Sequence, residues 1–441
     1  VAAVVFLAAL AVYTATMAPT VTLEYSGQLI VAADHMGVAR PLGYPVWTLL
    51  AKVFSTLFSF VDFHGYRNPA WGVHLMSAVF GALACSTMSI LISRIGRTFL
   101  RDNDHAADAS FPRIAVAVSS VSASLMFALS PTMGSQSVIA ETHTLTNFAL
   151  LAFLSILLHW MTVGPDHRAL EAAIAFLVGF NGAISPLLFL MIPPVLLAAA
   201  FVSRRTFLRF LAATLAFLLT VLAEAKIGYR SPATAALVLG IALSCLAVGL
   251  RFRRTRGAAV LWALMFAGLL PFLYLPLAAS GNPPMNMGRA CTWEGLLHVL
   301  SRSQYERFTP LNPFTDFELV PGKCAWMTDL IARQFPWPLL LVGGVPLAAL
   351  PWLPRTHRRP VWLLLLGLLL FGPGVLVILN TATDLQSTWI ARTIYIPVFA
   401  LCAVLIGCGL SLLLGALGGL GPFRLRKADG SRSVAGRRGA R

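Results

Sequence analysis

The chain has 441 residues, 58% of them hydrophobic and 11% charged, with a mean hydropathy of +0.78. So little polar surface cannot cover a soluble globule of this size, and apolar runs able to cross roughly 30 Å of hydrocarbon recur throughout, which reads as one polytopic membrane domain. The formal charge of +16 does not point to nucleic acid, because the basic residues stand in short clusters between apolar segments and in the tail, where membrane topology and anionic headgroups account for them.

Hydrophobicity begins at once, in VAAVVFLAALAVYTATM, without the positive flank of a secretory signal, and predicts a retained first span. Next comes the polar segment Thr20 to Pro45, which carries Glu24, Gln28, Asp34, His35 and Arg40 directly behind that span. Spans are expected at 2–18, 69–93, 113–130, 144–162, 170–184, 186–202, 207–223, 232–250, 257–278, 335–353, 360–380 and 393–419. With twelve crossings, two thirds of the 33 Lys and Arg fall on one side, which the positive-inside rule makes cytoplasmic. Residues 1–421 then form the membrane domain, and 422–441 a basic, disordered cytoplasmic tail.

Val46 to Phe60 is apolar but only about 15 residues long, and Lys52 sits midway along it. Had it crossed, every later basic cluster would face outward, so the expectation is an amphipathic helix lying along the interface. Four outer segments follow, at about 18–69, 131–143, 279–334 and 381–392. The polar residues outside the basic clusters gather there.

Carboxylates at a membrane boundary cost free energy unless solvated, paired or in use, which singles out Glu24, Asp34 and Glu141. A solvated surface group is the plain alternative for each, and Glu141, at the start of a span, also fits a helix N-terminal charge. Transfer of a sugar from a lipid phosphate needs a base for the acceptor hydroxyl and cations or amides for the departing phosphate. Arg40, Arg289, Arg302, Arg307 and Arg392 are outer-face cations of that kind, each equally readable as an interfacial anchor or as a partner for Glu294, Glu306 or Asp384.

His35 and His143 stand without an HExxH or a close His/Cys pairing, so no dedicated metal site is expected, and a divalent metal is left open. Cys85, Cys245, Cys402 and Cys408 fall in spans and read as packing residues; Cys291 and Cys324 share an outer segment, where a bridge is open. Trp47, Trp71, Trp293, Trp326, Trp337 and Trp389 lie near boundaries and read as an interfacial belt.

Three ordered blocks carry a resemblance: APTVTLEYSGQL with ARPLGYP, then AETHTLTN from Ala140 to Asn147, then PPMNMG from Pro283 to Gly288 with RSQY from Arg302 to Tyr305. On these the chain resembles a multispanning family, first described as a domain of unknown function, that is similar to the transmembrane protein O-mannosyltransferases and belongs with the GT-C glycosyltransferases. The resemblance implies an all-α integral membrane protein of about 12 transmembrane helices, GT-C-like, with interfacial helices in the first outer loop. It also implies an enzyme that moves a sugar, mannose in the named relatives, from a polyprenyl-phosphate donor to a protein or glycan acceptor on the outer face, with an acid of the first outer loop as base.

The candidate catalytic residues are Glu24, Asp34 and Glu141; the candidate substrate-binding residues are Gln28, His35, Arg40, Tyr44, His143, Asn147, Asn286, Arg289, Arg302, Tyr305 and Arg392. The expected partners are the bilayer, the lipid-linked sugar as donor substrate and an extracytoplasmic acceptor, with no cofactor and no nucleic acid, in a bacterial inner (plasma) membrane. The chain departs from the family pattern where Tyr25 and Gln28 replace acids, Arg40 replaces a histidine, Leu42 replaces a proline, and GFNGAISP lacks a histidine. Those departures keep two other readings open, a transporter or flippase of lipid-linked substrates and an inactive family member.

Overall fold

The computed structural model describes residues 1–100, 110–226, 230–303, 305, 309–312 and 314–418. The expected tail at 422–441, together with Glu306 and Arg307, lies outside the described residues.

Among the described residues the regular elements are helices, apart from one small hairpin and an isolated bridge. Three helices precede the first long span: α1 (Ala2–Thr16), α2 (Ser26–Asp34) and α3 (Pro45–Leu57). The hairpin, β1 (Asp62–Phe63) and β2 (Tyr66–Arg67), pairs Asp62 with Arg67. Then come α4 (Pro69–Leu100), α5 (Ser110–Ala128), the short α6 (Pro131–Ser137), α7 (His143–Val163), α8 (Arg168–Ile184), α9 (Ile192–Val202) and α10 (Arg204–Lys226). The second half holds α11 (Pro232–Arg251), α12 (Arg256–Ala267), α13 (Tyr274–Ser280), α14 (Trp293–Leu300), α15 (Val320–Ala332), α16 (Trp337–Ala348), α17 (Arg355–Leu369), α18 (Val375–Leu379), α19 (Leu385–Ala391) and α20 (Ile396–Leu417).

Among the described residues, eight helices are long and apolar enough to cross a membrane, or nine if α15 and α16, bent by 107°, are one broken span. Twelve crossings were expected. The difference lies in short helices: α1 has 15 residues and α8 has 17, and at 1.5 Å per residue these reach only about 22–26 Å. Pro193 and Pro194 open the 11-residue α9, and α16 has only 12 residues.

The α4 and α20 helices are the most enclosed spans and form the centre, with α4 packed by α1, α3, α5, α7 and α20. Small residues make this closeness feasible where a side chain would collide. On α8 and α12, a Cβ at Gly179 would collide with the Met265 carbonyl, and one at Gly268 with the Phe176 carbonyl. By contrast α11 is the span least covered by protein, and Cys245 on it is exposed rather than packed.

Near the expected interface, α3 behaves as its sequence suggests. Its 13 residues are too short to cross, Trp47, Ala51 and Ser55 are buried, and Leu49, Val53 and Leu57 are exposed at four-residue spacing. Trp47 departs from the expected aromatic belt: it is fully buried, and its indole N–H donates to the Glu141 carbonyl at 3.1 Å. Cys291 and Cys324 are both exposed and unbridged.

Candidate active site

The segment between α1 and α2 is pinned by α4 and its leading residues. His74 Nδ1 lies 2.9 Å from the Ala18 carbonyl, Asn68 donates to the Pro19 carbonyl at 2.7 Å, and the Ala18 amide donates to Val138 at 3.1 Å. Ser26 Oγ, at the start of α2, lies 3.4 Å from His74 Nε2. These contacts hold Glu24 at φ 65°, a left-handed conformation that costs a non-glycine residue roughly 1–2 kcal/mol and that the surrounding bonds must over-determine.

Held this way, the Glu24 carboxylate meets two groups from distant parts of the chain. Gln136 of α6 donates to Glu24 Oε2 at 3.2 Å, and the Arg392 guanidinium, just after α19, lies 3.8 Å from Oε1. Arg392 itself stacks on Trp389, its central carbon 3.2 Å from the ring centroid. Trp326 of α15 braces this corner by donating to Thr388 Oγ1 at 2.9 Å.

Glu141 is the buried half of the site, its side chain 1% exposed. Its Oε2 accepts from Arg40 at 3.2 Å and from the Thr142 amide at 3.3 Å, and His143 Nε2 lies 3.9 Å away. Burial pushes the Glu141 carboxyl above its ordinary range; Arg40 opposes this most strongly, and the charge of Glu24 reinforces it. Arg40 in turn lies 4.0 Å over the Tyr25 ring and 5.7 Å from that of Tyr44, and Tyr305 also faces it.

Several buried polar atoms here lack a protein partner: Glu141 Oε1, Arg40 Nε, Arg392 Nε, Gln136 Oε1, Thr22 Oγ1 and Asn147 Oδ1. Buried polar groups are normally satisfied, so these atoms are open to a hydrogen-bonding partner from outside the fold. The four charges, two carboxylates and two guanidiniums, balance. Among the described residues no group of three His, Cys, Asp or Glu comes together to hold a metal ion.

The expected residues divide. Glu24, Glu141, Arg40, Tyr44, His143, Tyr305 and Arg392 converge. Asn147 lies one turn into α7 and bonds the His143 carbonyl at 2.8 Å. Asn286 meets the first polar segment from the side, through a parallel bridge with Val38, and its amide donates to Ala279 at 3.1 Å.

Asp34 is not part of this cluster. It ends α2, roughly 13 Å of helix from Glu24, and its carboxylate is held by Arg67 at 2.7 and 2.9 Å, with Lys52 at 3.8 Å. That ion network ties α2, α3 and the hairpin together, which is a structural task. His35, the exposed C-cap of α2, lies at the same end, and Gln28 is half-buried on α2. Arg289 lines an open groove with Thr292, Glu294 and His298, and Arg302 lies 5.3 Å from the Tyr305 ring.

Sequence reasoning missed Gln136 and the role of Tyr25. The signal for Gln136 was present in SQSVIAETH, where an amide sits five residues before the buried acid.

Comparison with known proteins agrees with this architecture. Residues 26–208 match the model of the protein O-mannosyl-transferase TMEM260 N-terminal domain, a stretch that includes Arg40, Gln136 and Glu141 and begins just after Glu24. The chain is 30% identical over 179 residues to protein O-mannosyl-transferase TMEM260 of Mus musculus, covering 40% of this chain and 22% of that one. It is 26% identical over 186 residues to the tmem260 protein of Dictyostelium discoideum, covering 41% and 20%. These matches thus span about a fifth of each curated relative.

Among solved structures, ArnT from Cupriavidus metallidurans, crystallised with undecaprenyl phosphate, superposes with a TM-score of 0.50 at 14% identity, over 92% of this chain and 59% of that one. The chain is therefore a multi-pass integral membrane protein that shares its fold with ArnT and is similar, over residues 26–208, to the TMEM260 N-terminal domain.

Proposed function

We propose that the chain is an integral-membrane glycosyltransferase that takes a sugar, mannose in the first instance, from a polyprenyl-phosphate donor and passes it to a protein or glycan acceptor on the outer face of a bacterial inner membrane. The observation that carries this reading is the meeting of Glu24, Glu141, Arg40 and Arg392, drawn from segments up to 368 positions apart, around buried polar atoms that have no protein partner. The O-mannosyl-transferase relatives and the lipid-phosphate-bound structural neighbour support the same class of chemistry.

In this reading Glu24, the more open carboxylate, accepts the proton of the acceptor hydroxyl. The acceptor oxygen forms a bond to C1 of the sugar while the C1–O bond to phosphate breaks, and its electron pair leaves on the phosphate oxygen, giving polyprenyl phosphate. Arg392 beside Glu24 stabilises that oxygen with charge-assisted hydrogen bonds. Arg40 and Glu141 form the buried wall behind it, and the polar residues on α7 shape the acceptor side. No cofactor beyond the donor substrate enters this scheme.

Reconstitution in nanodiscs with a polyprenyl-phosphate mannose and a peptide acceptor tests the reading. Glycosylated acceptor and free polyprenyl phosphate are the expected products. Movement of the lipid-linked sugar across proteoliposomes with no glycosylated product would instead favour a flippase.

A further inference from the structure

We propose that Gln136 is the positioning residue of the base: one end of its amide holds the Glu24 carboxylate before transfer, and the other end receives the protonated acid afterwards. The inference rests on the reading of Glu24 as base.

Gln136 is fully buried, on a helix of only seven residues that other contacts hold in place. At the start of α6 the Thr132 amide donates to Gln334 Oε1, two residues past α15, at 3.0 Å. At its end, Ser137 packs so closely on α4 that a Cβ at Gly81 would lie 2.5 Å from the Ser137 hydroxyl. The amide is therefore presented to Glu24 from a fixed platform, and its Nε2 donates to Glu24 Oε2 at 3.2 Å. Gln136 Oε1 is buried and has no hydrogen-bond partner.

A buried amide oxygen left without a donor is costly, and one state of the site supplies the donor. Once Glu24 carries the acceptor's proton, its carboxyl O–H is a new donor next to the same amide. Rotation about the terminal torsion of Gln136, which is broad and roughly two-fold, exchanges Nε2 for Oε1 and lets the oxygen accept that O–H. The same side chain then satisfies both protonation states, with the proton moving only from the acceptor hydroxyl to Glu24.

The test is steady-state transfer from polyprenyl-phosphate mannose by Gln136→Met, which keeps length and loses both amide functions, in the wild-type and Glu24→Gln backgrounds. The expected result is a kcat lower by about 10- to 100-fold, the loss of a hydrogen bond to a charged group, with KM for the donor changed by less than about 2-fold. The acidic limb of the kcat profile moves to higher pH, because the charged base has lost its donor.

That limb is read against the other groups facing Glu24, namely Arg392 and Glu141, with Arg40 and His143 behind them. In the Glu24→Gln background Gln136→Met has no further effect. Gln136→Asn, too short to reach, gives the same pattern and serves if the Met variant does not fold. An unchanged kcat and pH limb, or an equal fall in both backgrounds, overturns the proposal. Wild-type turnover by Glu24→Gln alone overturns the base assignment, and it is read on a separate variant.

Discussion

Arg40 lies flat over Tyr25, its central carbon 4.0 Å from the ring centroid. Both residues are departures from the family pattern, an arginine for a histidine and a tyrosine for an acid, and they touch each other. The two residues serve one arrangement: Glu141 counters the charge of Arg40, and the tyrosine supplies a face for the guanidinium. Removing Arg40 alone leaves Glu141 buried and uncompensated. Arg40→Met is expected to destabilise the protein by about 3–5 kcal/mol and the double variant Arg40→Met/Glu141→Gln by much less, as measured by denaturant unfolding. A double variant as unstable as the sum of the singles contradicts this coupling.

Arg392 is the cation nearest Glu24 and, unlike Arg40, is not closed in by a carboxylate at hydrogen-bond distance. Arg392→Ala is expected to weaken binding of polyprenyl phosphate by about 10- to 100-fold. Arg392→Lys should recover only part of this, because an ammonium can neither stack on Trp389 as a plane nor offer a fork to phosphate. Equal affinities for the three proteins, measured by titration of the lipid into nanodiscs, would remove Arg392 from the donor site.

Burial raises the Glu141 carboxyl above its ordinary value of 4.5, so across the interval between that value and the raised one the folded protein holds more protons than the unfolded chain. The stability this group contributes is complete below the ordinary value and is lost as pH rises through the folded one. Glu141→Gln lacks that titration. The difference in unfolding free energy between wild type and Glu141→Gln should therefore shift against the wild type as pH rises from 4.5 towards neutrality; a difference independent of pH refutes the assignment.

Gly37 joins the first polar segment to PPMNMG. The Val38 amide donates to Met285 at 2.8 Å, Met287 donates back to Val38 at 3.2 Å, and a Cβ at Gly37 would run into the Met285 carbonyl. Gly37→Ala should separate the two segments at a cost of about 1–3 kcal/mol and lower transfer through misplacement of Arg40. Thermal unfolding and turnover unchanged from wild type would show that the two segments can yield there.

The helical membrane class and the short amphipathic α3 were legible in local composition, and the motif blocks held Glu24, Arg40 and Glu141, which the structure brings together. What the sequence hid was partner choice. Asp34 looks as catalytic as Glu24 until the hairpin swings Arg67 onto it, and nothing in the order of residues places position 67 beside position 34. Trp47 reads as a headgroup anchor by its place near a boundary, yet the carbonyl of Glu141 draws it into the core. Hydropathy registers apolar runs and does not register the proline breaks and short rises that leave eight described helices long and apolar enough to span, where twelve crossings are read from sequence.

The most direct test compares Glu24→Gln with Asp34→Asn in sugar transfer from a polyprenyl-phosphate donor in nanodiscs. Loss of a general base lowers kcat by about 10²- to 10⁴-fold, so Glu24→Gln should fall by that range. Asp34→Asn, which weakens a bidentate Arg67 pair that Lys52 also joins, should keep wild-type turnover while losing about 1–3 kcal/mol of stability. Full activity in Glu24→Gln, or a collapse of activity in Asp34→Asn with Glu24→Gln unaffected, contradicts the account.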